Sequence, residues 1–249
     1  AKLVIVRLLG GLGYWPYGIE QIRTACLKNN IKLAVLPGDA APDPELIEQS
    51  TLEPEACHRL WQYCVQGGPD NIRGLLNYSS SLLGKEVVWR EPIPLLQSGL
   101  YWPLISNPDL TQIHDKWIIE YPVVAIIFYR SLLQTSDLDP IDALIERLQS
   151  QNTNPLPIFV GSLKDPISAE IVKKLIVDTS PAVILNCTGF AVSSPGGAIQ
   201  DTPFLSANCP VFQVILSGGT FTEWQEGKRG LSPKDLAMNV ALPEVDGRL

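Results

Sequence analysis

Short apolar runs alternate with helix-period segments along most of this chain, the pattern of βα units that bury a parallel sheet on both faces. Residues 3–9 read as a first strand and 18–28 as its helix, with Ile19, Ile22, Ala25 and Cys26 on one face. Residues 31–36 form a second strand, ended by Pro37-Gly38. Helices are expected over 45–49, 53–66 and 70–83; the middle one sets Cys57, Leu60, Trp61, Cys64 and Val65 at helical spacing before Gly67-Gly68-Pro69 breaks it.

Residues 84–120 lose this periodicity. Proline and tryptophan are frequent, Tyr101 adds a further ring, and Glu91-Pro92-Ile93-Pro94 is incompatible with a central strand. The stretch reads as an irregular connector. Regularity resumes with strands over 123–129, 157–160, 182–187 and 211–216, separated by helices over 140–151 and 167–178 and closed by one over 232–240. The expected fold is α/β: two doubly wound parallel-sheet units, Rossmann-like or flavodoxin-like, the first whole or incomplete, with a boundary near residue 120. The units are then 1–120 and 121–249.

In such sheets ligands bind outside the carboxyl ends of the strands. That rule selects Tyr129-Arg130-Ser131, Gly161-Ser162-Leu163-Lys164, Asn186-Cys187-Thr188-Gly189 and Ser217-Gly218-Gly219-Thr220. Tyr129, Arg130, Lys164, Thr188 and Ser217 are the substrate-binding candidates. Arg130 and Lys164 offer cations to a ligand carboxylate, Arg130 as a bidentate fork. Salt bridges to Asp137, Asp139 or Asp165 are the structural alternative.

Composition narrows the classes. With 45% apolar residues among 249, the chain can bury a sizeable core. A net charge of −7 without a basic run speaks against nucleic-acid or anionic-membrane partners. Cys26, Cys57, Cys64, Cys187 and Cys209 form no CxxC pair and are odd in number, which fits a reducing cytoplasm. No apolar run approaches the roughly 20 residues that span a bilayer. A start without methionine and a stop at Gly247-Arg248-Leu249 suggest an excised piece of a longer chain.

Several familiar chemistries find no motif. The glycine-rich loop from Gly10 to Gly18 follows a strand, but Pro16 stands where a dinucleotide fingerprint needs its last glycine, and Tyr14, Trp15 and Tyr17 would crowd a pyrophosphate. An aromatic surface for a flat ligand or a domain partner, or a plain turn, suits it better. His58 and His114 lack partners at zinc-site spacing, so no resident metal or bound cofactor is expected from spacing. The nucleophile-elbow pattern GxSxG is absent. Near the end, Glu244 and Asp246 flank Val245 beside Gly247; the pair could take up protons or hold a hydrated divalent cation, or form a solvated turn.

Taken together, Arg7 to Gly18, Ser98-Gly99-Leu100-Tyr101-Trp102-Pro103, Pro122 to Arg130, Ser162-Leu163-Lys164-Asp165-Pro166 and Gly230 to Arg248 resemble the large subunit of the CobN and magnesium-chelatase H family. The first motif and Ser162 to Pro166 look like the cobalt branch. The resemblance implies a much larger parent chain that encloses a tetrapyrrole, with separate AAA+ subunits hydrolysing ATP. It implies Co²⁺ insertion into hydrogenobyrinic acid a,c-diamide, with Mg²⁺ insertion into protoporphyrin IX or a non-catalytic docking role as alternatives. It also puts the Pro-Glu-x-Asp-Gly motif in this piece. Glu244, then Asp246, is the catalytic expectation, since metal insertion must remove pyrrolic protons.

Overall fold

A computed structural model describes residues 1–189, 202–227 and 230–244. The chain divides into two compact units: residues 1–95 with 134–136, and residues 96–133 with 137–249.

In the first unit, β1 (Leu3–Leu8), α1 (Pro16–Lys28) and β2 (Lys32–Pro37) make a parallel pair, followed by α2 (Pro44–Glu48), α3 (Pro54–Gln66) and α4 (Gly68–Leu82). This is an abbreviated version of the expected winding. The reason lies on the far edge of β2, where the Ser50 and Thr51 hydroxyls accept from Val35 N–H (2.9 Å) and Leu33 N–H (2.8 Å) in place of a third strand. Leu33 to Leu36 are fully buried although the sheet has two strands.

Gly67 ends α3 and begins the turn into α4 at φ +64°, a conformation open to glycine; a Cβ there would lie 2.8 Å from the Gln134 carbonyl oxygen. After α4 the chain returns over α3 and α4 as a strap. Arg59 lies against the rings of Tyr78 and Trp89, which meet edge-on, at 5.0 and 4.9 Å from their centres, and pairs with Glu91 at 2.8 Å. Asn71, buried, clasps Ile93 through both its carbonyl and its N–H.

The second unit holds β3 (Ser98–Leu100), α5 (Leu110–His114), β4 (Val123–Tyr129), α6 (Arg130–Thr135, whose last residues belong to the first unit), α7 (Asp139–Ser150), β5 (Asn154–Val160), α8 (Pro166–Thr179), β6 (Val183–Asn186), β7 (Val211–Gln213) and α9 (Phe221–Glu226). It closes with α10 (Pro233–Leu236), a π turn (Ala237–Ala241) and α11 (Leu242–Glu244). Strand order is β3-β5-β4-β6-β7, parallel except for β3. The parallel strands thus run second, first, third, fourth, which is flavodoxin-like winding.

The division falls earlier than residue 120. Asn154, 4% exposed, donates to the carbonyls of Ile118 (2.7 Å) and Tyr121 (2.8 Å) and accepts from Ile118 N–H. The Trp117 indole donates to Pro155 O at 2.9 Å, and β3 pairs with β5. These bonds tie residues 96–121 to the second unit.

Strand β5 also begins earlier than residue 157, despite prolines at 155 and 157. Their carbonyls face the β3 side, where they accept from Trp117 and Tyr101, so the missing N–H groups face that side too. The ladder to β4 loses nothing, and Pro157 ends the ladder to β3 after three residues.

Candidate functional site

The carboxyl ends of the parallel strands place the expected residues in the order Lys164 (after β5), Tyr129 and Arg130 (the end of β4 and the start of α6), Thr188 (after β6) and Ser217 (after β7). Neighbouring strands are ~4.8 Å apart, so these residues follow one edge of the sheet. The winding reverses between β4 and β6, the usual position of a ligand crevice.

Their side chains are not equally presented. Lys164 is exposed, while Tyr129 is half-buried. Arg130 is only 6% exposed: its Nε donates to Leu96 O at 2.8 Å, and burial pulls the guanidinium below its ordinary pKa. Thr188 is buried, with its hydroxyl donating to Asn186 Oδ1 at 2.7 Å. Ser217 donates to Asp235 Oδ2 at 3.0 Å. Asp165 caps α8, accepting from Ser168 N–H (2.9 Å) and Ser168 Oγ (2.7 Å), and among the described residues it forms no salt bridge with Lys164 or Arg130. Three of the five expected contacts therefore hold the edge together from within.

Two polar groupings that sequence reading missed build this edge. Fully buried Asn186 accepts from Thr188 N–H and Thr188 Oγ1 and donates to Gln213 Oε1 (2.9 Å), while Gln213 Nε2 donates to Thr188 O (2.8 Å). The network bridges β6 and β7 and leaves each amide matched, as burial demands. The second is centred on Asp235, 5% exposed, which accepts from Ser217 Oγ, Gly218 N–H (3.1 Å) and Ser232 Oγ (2.9 Å). The Ser232-Pro233-Lys234-Asp235 spacing is a capping signature that could have revealed it.

Gly218 N–H first, then Ser232, hold the Asp235 carboxyl below its ordinary value. A depressed carboxyl contributes stability above its unfolded pKa and loses it as pH falls through the folded pKa. A carbon-13 NMR titration should therefore put the Asp235 midpoint under about 3.9; a midpoint at or above that value contradicts the three-donor arrangement.

Cys187, beside Asn186, is 4% exposed, and burial pushes its thiol up to about 12. Thiolate is the reactive form. We expect a maleimide at pH 8 to spare Cys187 in the folded protein and label it after urea unfolding; equal labelling in both states would refute this.

Glu244 ends α11 with an exposed side chain, and Asp246 lies outside the described residues. His58 packs tilted against Trp61 (5.4 Å between ring centres) and His114 against Trp117 (4.6 Å). Among the described residues no group of three or more His, Cys, Asp or Glu gathers in metal-binding range. Tyr14 and Tyr17 of the glycine-rich loop are 76% and 70% exposed.

The second unit is thus a doubly wound α/β unit whose carboxyl edge is braced by buried amide and carboxylate networks. Residues 61–249 match the family described as CobN/Magnesium Chelatase, and the chain belongs to that family. It is 40% identical over its whole length to the aerobic cobaltochelatase subunit CobN of Sinorhizobium sp, and spans 20% of that protein. Against the chloroplastic magnesium-chelatase subunit ChlH of Oryza sativa subsp. indica the identity is 28% over 86% of the chain and 17% of the relative. In fold it matches the catalytic subunit of cobaltochelatase from Mycobacterium tuberculosis, at a TM-score of 0.70 and 22% identity over the full chain and 20% of that structure. The chain therefore spans about a fifth of the length of the relatives it matches. No helix among the described residues is long and apolar enough to cross a membrane.

Proposed function

We propose that the chain is a portion of the tetrapyrrole-binding large subunit of a cytoplasmic, ATP-dependent cobaltochelatase. The supporting observation is the branch difference: 40% identity to a cobaltochelatase subunit along the entire chain, against 28% over 86% for a magnesium relative. The substrates in this reading are hydrogenobyrinic acid a,c-diamide and Co²⁺. ATP is consumed by AAA+ partner subunits, and this portion alone is inactive.

Insertion exchanges the inner N–H proton of the corrin ring for a dication that must shed its water. A solvent-facing carboxylate at the end of a helix suits proton removal. Glu244 takes that role, with Asp246 beside it. Lys164 and Tyr129 meet the periphery of the macrocycle, and Arg130, Thr188 and Ser217 shape the edge that receives it. Exposed Tyr14 and Tyr17 of the first unit pack on the remaining domains of the parent chain.

The test is Co²⁺ insertion by the full-length parent with its ATPase partners, comparing wild type with Glu244→Gln while tetrapyrrole binding is followed by tryptophan fluorescence. Insertion should fall about a hundredfold, the lower range for loss of a general base, with binding retained. Normal insertion by a folded Glu244→Gln protein would return Glu244 to a structural turn. Faster insertion of Mg²⁺ into protoporphyrin IX would reassign the branch.

A further inference from the structure

The run from Pro233 to Glu244, capped by Ser232, is one continuous helical arm, since Leu236, Ala237 and Leu242 all keep right-handed helical backbone across its joints. Two contacts fix the arm to the sheet edge. At its base, the buried Asp235 carboxylate grips the loop after β7 through Ser217 Oγ (3.0 Å) and Gly218 N–H (3.1 Å), and grips its own cap through Ser232 Oγ (2.9 Å). Further along, Met238 crosses the end of β6 so closely that a Cβ on Gly189 would lie 2.5 Å from the Met238 carbonyl oxygen. Glu244 follows Met238 by six residues, about 9 Å of helix rise.

The two attachments differ in kind. Passage over Gly189 limits how near the arm sits but tolerates sliding. The two directional donors from the loop after β7 do not: a shift of the arm by one residue would carry the buried charge away from Ser217 Oγ and Gly218 N–H and leave it only its own cap, Ser232, which is costly. Asp235 therefore determines where along the sheet edge the tip of the arm stands.

We infer that Asp235 is a positioning residue for metal insertion, holding the helical arm in the register that presents Glu244 to the macrocycle. This rests on the reading of Glu244 as the proton acceptor. Asp235 itself touches neither macrocycle nor metal. Its chemistry is to anchor one end of a lever whose other end carries the reacting carboxylate.

The test is a double-mutant cycle in the full-length parent with its ATPase partners, measuring kcat for Co²⁺ insertion and the Kd of hydrogenobyrinic acid a,c-diamide. Asp235→Ala should lower kcat about 10- to 100-fold, the scale of an ångström misplacement, with Kd changed less than about twofold. Asp235→Asn keeps the acceptor for Gly218 N–H and should retain most of the rate. On the Glu244→Gln background, Asp235→Ala should lower kcat by less than about twofold more, because the two residues act through one step.

Unchanged kcat in Asp235→Ala, multiplying losses in the double mutant, or a loss of binding that accounts for the lost rate would each overturn the inference. If Asp235→Ala does not fold, Ser217→Ala, which removes one of the two bonds between the arm and the loop after β7, runs the same cycle. A Glu244→Gln protein that inserts at the wild-type rate would defeat the reading of Glu244 and the inference with it. Impaired Glu244→Gln with multiplying losses would defeat the inference alone.

Discussion

Truncating Phe128 to alanine is expected to destabilise the second unit by about 3–5 kcal/mol, the usual range for a buried aromatic ring. Phe128 is fully buried near the end of β4, the strand that β5 and β6 flank. Its ring meets Tyr101 edge-on at 5.9 Å and Phe159 at 6.5 Å. Neither neighbour can move in to fill the space. Tyr101 is tied by its hydroxyl to Asp142 at 2.7 Å and by its N–H to Pro157 O, and Phe159 sits in a strand laddered on both sides. Urea unfolding reads the effect: a midpoint loss equivalent to under about 1 kcal/mol would mean that the site collapses freely, contrary to a rigid sheet.

Asn186→Ala is expected to cost a comparable amount, about 3–5 kcal/mol, for a different reason. It leaves buried Thr188 N–H and Thr188 Oγ1, and half-buried Gln213 Oε1, without their partner, at ~1–3 kcal/mol for each buried group left unsatisfied. Asn186→Leu separates this cause from a simple void. Leucine restores volume but none of the hydrogen bonds, so it should remain as destabilised as alanine. Recovery by leucine in a denaturant titration would show that packing, not polar satisfaction, holds the ends of β6 and β7 together.

Strand β4 was legible to the residue because Val123 to Tyr129 is a continuous apolar run with nothing in it that opposes a ladder. Strand β3 was not. Ser98-Gly99-Leu100 is short, contains glycine and has no alternation, and its partner lies about sixty residues later, so only tertiary pairing makes it a strand. The prolines of β5 misled in the other direction. They exclude a strand only if both edges must donate, and the sequence does not tell which edge faces a full partner.

The site followed the same division. Topology told which segments reach the carboxyl edge, because that depends on strand order and the ends of apolar runs. It could not tell that Thr188 and Ser217 turn inward, since that depends on side-chain hydrogen bonds, to Asn186 within the same segment and to Asp235 far along the chain. Short helices such as α6 and α9 escaped notice because one or two turns carry too little periodicity to register.

The π turn in the arm makes its length forgiving at one place and strict elsewhere. In it, Leu242 N–H reaches back five residues to Ala237 O, so this turn holds one residue more than an α-helical turn over nearly the same span. Deleting a residue between Ala237 and Ala241 would let the segment relax to α geometry with both flanks close to where they stand. The same deletion in the α-helical stretch from Leu242 to Glu244 has no spare residue to draw on; it would pull everything beyond back by about 1.5 Å and turn it by about 100° about the helix axis. The residue that then stood at the tip would face another quarter of the molecule, so the aim of the tip is set by the residues after the π turn and buffered by the turn itself.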